Sequence, residues 1–362
     1  MKLNFEQLGD LAVGAAFLGT GGGGDPYVGR LMVQQCIHEG CEVEVIDPQS
    51  LDDDSLVIPT AMMGAPTVLV EKIPSGQEAV ASLKRLEKRL GRKADATMPI
   101  EIGGINSTIP LVVGARLGLP IVDADGMGRA FPFLEMETFG VYGISGSPMA
   151  VSNEWGDCAL IEAVDNRQME WLSRAVAIRM GGCAYIAEYA MSGADVKRTA
   201  IPNTLTLAIR IGEVLRKAHE DHQNPIEALL GFLPSTLYRY GRVIFKGKIV
   251  DVMRETKAGF TMGRARIDGI APFSSSMDIE IQNENLVARV NGEVKAIVPD
   301  LISIMNTETA EPITSENLRY GQRVTVVAVS VPDIMRTPEA LAVFGPACFG
   351  LQEPFTSIEE LA

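Results

Sequence analysis

The densest group of reactive side chains is DADGMGRAFP at residues 123–132, where two carboxylates, two glycines and an arginine fall within seven positions. Carboxylates at that spacing could share a divalent metal, or one could act as a general base in a dry setting. Asp123 and Asp125 are therefore the candidate catalytic groups and the candidate metal ligands. Glu135 follows as a third catalytic candidate, with Glu137 beside it. Arg129 could grip a carboxylate through two parallel hydrogen bonds, which predicts a substrate with an anionic side chain. The plainer alternative is an internal Asp–Arg bridge over an Asp125-Gly126 turn.

Two glycine-rich segments could supply binding groups. LGTGGGGDP at residues 18–26 packs five glycines into residues 19–24. Gly21, Gly22, Gly23 and Gly24 would let backbone N–H groups approach a ligand closely. A predicted helix rather than a strand precedes the run, so it is not a dinucleotide fingerprint, and it lacks a P-loop ending. EIGGIN at residues 101–106 sits where a strand hands over to a helix. Ligands of open α/β sheets bind outside such strand ends. Gly103 and Gly104 permit close approach there, and Asn106 either contacts the substrate or caps the helix. Residues 19–24, Asn106 and residues 123–129 should converge on one cleft.

Other motifs are weak. Cys36 and His38 lie two apart on a predicted helix and so face different ways. His219 and His222 fall in a charged, exposed stretch. Residues 143–147 lack the nucleophile-elbow spacing. With three histidines in 362 residues, none well placed, a Ser-His-Asp hydrolase is disfavoured.

The elements that must position these residues follow from periodicity and caps. Asn4 with Gln7 forms a capping box for a helix over 4–17, and Asp25 with Pro26 starts a second over 25–38. Strands are expected near 42–47, 56–61, 98–102 and 120–122, alternating with helices over 77–90 and 107–117. Helices near 166–180 and 204–220 flank a segment, 183–190, that reads as strand or helix. This alternation predicts an α/β domain of three layers with a largely parallel sheet. After residue 238 the pattern changes to short strands with hairpin turns, which predicts a β-rich barrel or sandwich. The expected division is 1–238, 239–332 and a tail, 333–362, packed on one of the two.

Composition narrows the partners. The charge sum, 32 basic against 46 acidic residues, gives −14, a field that repels nucleic acid. No apolar run is long enough for a membrane span. Five cysteines, an odd count, suit reduced thiols and a cytoplasmic setting.

The three segments above, with QNENLVA at 282–288, PDLI at 299–302, Gly345-Pro346 and Phe349-Gly350, resemble the S-methyl-thiohydantoin desulfurase family across nearly the whole chain. That family is associated with hydantoinase/oxoprolinase proteins. The resemblance implies an α/β N-terminal and a β-rich C-terminal domain, and hydrolysis of a thiohydantoin or hydantoin-like ring, water displacing methanethiol. The alternative it leaves is a non-catalytic subunit of a hydantoinase/oxoprolinase assembly. The expected ligand is a small cyclic molecule, the cofactor is left open with a divalent metal as the candidate, and the expected partners are a second copy or a hydantoinase/oxoprolinase chain.

Overall fold

A computed structural model describes residues 1–65, 68, 71, 72 and 74–361. The first layer is a mixed sheet. Strands β1 (Val45–Ile46), β2 (Leu56–Gly64), β3 (Ala96–Met98) and β4 (Ile121–Val122) run parallel in the order β1-β4-β3-β2. The short β5 (Ala124–Asp125) continues from β4 and pairs antiparallel with β10 (Ile201–Pro202) in a separate ribbon. Beyond β2 the main sheet turns antiparallel, through β8 (Cys183–Ala187), β6 (Met149–Ser152) and β7 (Cys158–Ile161), with β9 (Met191–Ser192) also on β2. The parallel half is the part expected from strand–helix alternation. The antiparallel half lacks that signal, because β6 and β7 form a hairpin of only four residues a side.

Helices bury both faces of this sheet. Ile58 and Met62 of β2 pack on α3 (Glu78–Leu90) and α4 (Ile109–Leu117), while Val57, Ala61 and Met63 face the opposite core. A strand covered on both sides reads as a continuous apolar run, as β2 does. The capping box of α1 (Phe5–Leu18) forms as expected, Asn4 accepting from Gln7 N–H at 2.9 Å and Gln7 from Asn4 N–H at 3.1 Å. Asp25 likewise caps α2 (Pro26–His38). Helix α5 (Asn166–Arg179) starts at the Asp165 cap, and α6 (Thr204–Glu220) packs on α1.

The second layer is a seven-stranded antiparallel half-barrel: β11 (Gly241–Lys257), β12 (Phe260–Gly269), β13 (Ser276–Gln282), β14 (Glu284–Val290), β15 (Glu293–Ile297), β16 (Leu301–Asn306) and β17 (Arg323–Val329), ordered β15-β14-β13-β12-β11-β17-β16. Among the described residues no strand of this sheet pairs with the first one. Ile267, Ile279, Ile304 and Val326 fill its inside, whereas Leu286, Val287, Leu301 and Val327 join the core of the first layer. The C-terminal tail, with helix α7 (Pro338–Phe344), touches both: Phe344 stacks on Phe131 at 5.0 Å, and Leu361 O accepts from Arg242. All five cysteines are unpaired, and no helix among the described residues is long and apolar enough to cross a membrane.

Candidate functional site

The carboxyl end of β3 and the start of β14 meet at a small cavity of about 30 Å³, lined among others by Gly23, Met62, Glu101, Asn106, Asn283 and Glu284. That volume has room for a water molecule. Glu101 leaves β3 into a 3₁₀ turn, Gly104–Ser107, that brings Asn106 back over it. Asn106 is fully engaged. Its Oδ1 accepts from Met62 N–H at 2.7 Å, and its Nδ2 donates to Met62 O at 2.9 Å and to Glu101 Oε1 at 2.5 Å. Phe131 N–H donates to Glu101 Oε2 at 3.2 Å. Asn106 thus joins β2 to Glu101 and does not cap a helix.

Glu284 arrives from the other layer. It is fully buried and its Oε2 has no partner among the described residues. The glycine loop folds against it: a Cβ at Gly22 would lie 2.0 Å from Glu284 Oε1, so a side chain there would have to displace Glu284. The loop's carbonyls are held by both halves of the chain, Gly23 O by Ile105 N–H at 2.9 Å, Thr20 O by Asn285 N–H at 2.8 Å and Gly21 O by Ser315 N–H at 2.7 Å. Thr20 carries φ 46 and Asn283 φ 56. Such left-handed backbone costs about 1–3 kcal/mol at a non-glycine residue and tends to collect at functional sites.

Electrostatics single out the two acids. Desolvation raises Glu101 to about 8, against the pull of Asn106 and Phe131, and Asp125 adds repulsion. Glu284 is pushed well above the ordinary range, first by burial and then by the charge of Glu101, with Arg129 opposing. Burial and the charge of Glu101 together oppose ionisation of Glu284, so the two carboxyls do not both ionise near neutrality.

The remaining candidates fall around this pair. Asp125 is buried 0% exposed, and its Oδ2 accepts from Ile102 N–H at 2.8 Å, Gly128 N–H at 2.7 Å and Met127 N–H at 3.2 Å, while Oδ1 has no partner among the described residues. Burial raises it to about 7. It pins the backbone that carries Glu101. Asp123 turns to α6, accepting from the Thr206 hydroxyl and from Thr206 N–H at 3.1 Å. The two aspartates therefore do not form a ligand pair. Among the described residues no three His, Cys, Asp or Glu side chains gather closely enough to hold a metal ion.

Arg129 is neither an Asp bridge nor an open receptor. Its Nη1 donates to Pro299 O at 2.8 Å and Asp300 O at 2.9 Å, its Nε to Ala130 O at 3.0 Å and its Nη2 to Asn285 O at 3.4 Å. It staples the two layers together from inside. Of the glycines, Gly23 reaches the cavity wall, and Gly103 and Gly104 serve the close backbone contact with the loop. Glu135 lies outside the cavity, in a groove along α5, raised to about 7 by desolvation and then by Glu170. Deeper still, Glu137 and Glu188 are fully buried with no hydrogen-bond partner for any carboxyl oxygen among the described residues, and desolvation pushes both well above the ordinary range.

Sequence reasoning passed over Glu284, Glu188 and the role of Glu101. The one local signal for Glu284 is a polar quartet, residues 282–285, across the turn from β13 to β14.

Two family models match nearly the whole chain. The S-Me-THD-like N-terminal domain covers residues 6–163 and the S-Me-THD-like C-terminal domain residues 164–358. Their junction lies just before α5, so β8 and β9 belong to the second match although they pair with β2 of the first. No curated protein matches. The chain is similar to a protein from Chromobacterium violaceum whose crystal structure is known, with 24% identity and a TM-score of 0.81 over 99% of this chain and 100% of that one. At that identity the likeness speaks to the fold alone.

Proposed function

This chain belongs to the S-Me-THD-like family, and from that premise we propose that it is a hydrolase of an S-methyl-thiohydantoin or related hydantoin-like ring, water displacing methanethiol to leave a hydantoin. The observation that carries the reading is that Glu101, held by Asn106, and Glu284 line one cavity of water size.

The ring carbon bonded to the methylthio group needs a nucleophile on carbon and a proton on the adjacent nitrogen. A carboxyl pair with separated affinities for protons supplies both. Glu101, the less perturbed of the two, takes one proton from the water as its oxygen bonds to the ring carbon. Glu284 gives its proton to the ring nitrogen. The C–S bond then breaks, methanethiolate collects the proton held by Glu101, and the remaining hydroxyl proton restores Glu284. The cavity is sized for the water, so the surrounding wall must give way to admit the ring.

The direct test is the purified chain alone with S-methyl-thiohydantoin, following methanethiol with a thiol reagent. Turnover by the single chain, lost in Glu101→Gln and in Glu284→Gln, is the expected result. Turnover that appears only when a second chain is added would mark this protein as a subunit, and full activity in both variants would remove the acid pair from the chemistry.

A further inference from the structure

A second hollow lies outside the acid cavity. A groove of about 860 Å³ opens between α5, the tip of the β11–β12 hairpin and α7, a volume within the range of small-molecule sites. Its body is apolar. Phe133 and Phe260 meet with centroids 4.9 Å apart, and Trp171 and Ile178 of α5 extend the wall, Trp171 remaining 68% exposed. An aromatic face left open to water beside a groove is a common mark of a binding surface.

The charges decide what would bind. Arg174 and Glu170 satisfy each other through contacts of 2.6 and 3.1 Å, and Arg174 lies over Phe260 at 4.4 Å. Arg167 is different. It sits four residues before Trp171 and hence on the same face of α5, and among the described residues it makes no ion pair or hydrogen bond, its charge reaching Glu135 and Cys348 only at a distance. Glu135 contributes a buried Oε2 with no partner among the described residues, able to accept from an N–H or O–H. An aromatic wall, an unpaired guanidinium and one spare acceptor therefore face the same space.

We propose that this groove binds a small aromatic or planar carboxylate, with the carboxylate on Arg167 and the ring against Trp171 and Phe260. A guanidinium suits this task because it can meet both carboxylate oxygens at once. An amine of the same shape would meet that guanidinium as a like charge. The groove shares Arg174 with the wall of the acid cavity but none of the groups assigned to the chemistry, so either assignment can fail alone.

The chain has two tryptophans, so Trp155→Phe leaves Trp171 as the sole reporter, and Trp155 is 82% exposed, where the change is mild. In that background, phenylpropionate, phenylpropanol and phenylpropylamine are titrated while Trp171 emission is followed. The expected result is a saturable change with phenylpropionate, about tenfold or more tighter than either comparator, and weakened about tenfold by Arg167→Ala. No saturable change, equal affinity for all three probes, or an unchanged affinity in Arg167→Ala would each overturn the proposal. Turnover is not read in this assay, so its outcome leaves the acid-pair reading to its own test.

Discussion

Two carboxylates brought to the seam between the layers by the half-barrel show opposite treatment of the same burial. Asp300 is 0% exposed and is satisfied: Arg336 donates at 2.8 Å, Ile358 N–H at 2.8 Å and Val331 N–H at 3.1 Å. It ties the C-terminal tail to the sheet. Glu284 is equally enclosed but keeps an unpartnered oxygen, and its neighbours include another acid. A buried charge with complete hydrogen bonding acts as a fastener. A buried acid without it must hold a proton, and a held proton can be given away. The number of partners separates the two roles where burial does not.

The comparison is sharpest in variants that keep shape and remove charge. Glu101→Gln and Glu284→Gln should each lower turnover by about a hundredfold or more, and Glu284→Gln should do so with little loss of stability in urea titrations, since Glu284 holds its proton in the fold. Asp300→Asn should do the reverse. Leaving Arg336 without its buried partner should cost about 2–4 kcal/mol in the same titration, while turnover per folded molecule stays near wild type. A stability loss at Glu284 equal to that at Asp300 would break the distinction.

A smaller effect is expected from pH. A carboxyl whose folded pKa stands above its unfolded value of about 4 stabilises the fold fully below that value. The contribution is lost as pH rises through the folded pKa. With Glu101 at about 8 and Asp125 at about 7, Tm should fall between about pH 5 and pH 8 and flatten above. Glu101→Gln should make that slope shallower, by about 1.4 kcal/mol per pH unit for one proton. A Tm that climbs across this window would show that the acids are ionised in the fold. The smallest effect belongs to Asp123, whose carboxylate serves Thr206. Asp123→Asn should cost about 1 kcal/mol in stability and leave turnover within about twofold, and a hundredfold loss would return Asp123 to the catalytic set.

What the sequence makes legible is local. The capping box, the Asp25-Pro26 start and the change to hairpin patterning after residue 238 depend on neighbours a few positions apart, and each appears in the structure. The segments of the site were also visible, since the glycine loop and residues 101–106 do meet, through Gly23 and Ile105. Individual roles were not. Asp123 and Asp125 are two residues apart yet serve α6 and the 102–128 backbone respectively. Arg129 looked available because sequence proximity offered only aspartates, whereas its partners are carbonyls at Asn285, Pro299 and Asp300. Glu284 pairs with a residue far away in the chain, and no periodicity reports such a contact.

The pairing of β2 with β8 places a seam of the sheet across the junction of the two family matches. A fragment ending at residue 163 would keep β2 but expose its backbone along the edge that β8 covers, and β6 would lose the same neighbour. A largely apolar strand whose edge at Thr60–Gly64 has lost its partner is a template for self-association. On the ribosome the same edge stays bare until residues 183–187 have emerged, so the first half of this protein matures only by borrowing a strand from the second.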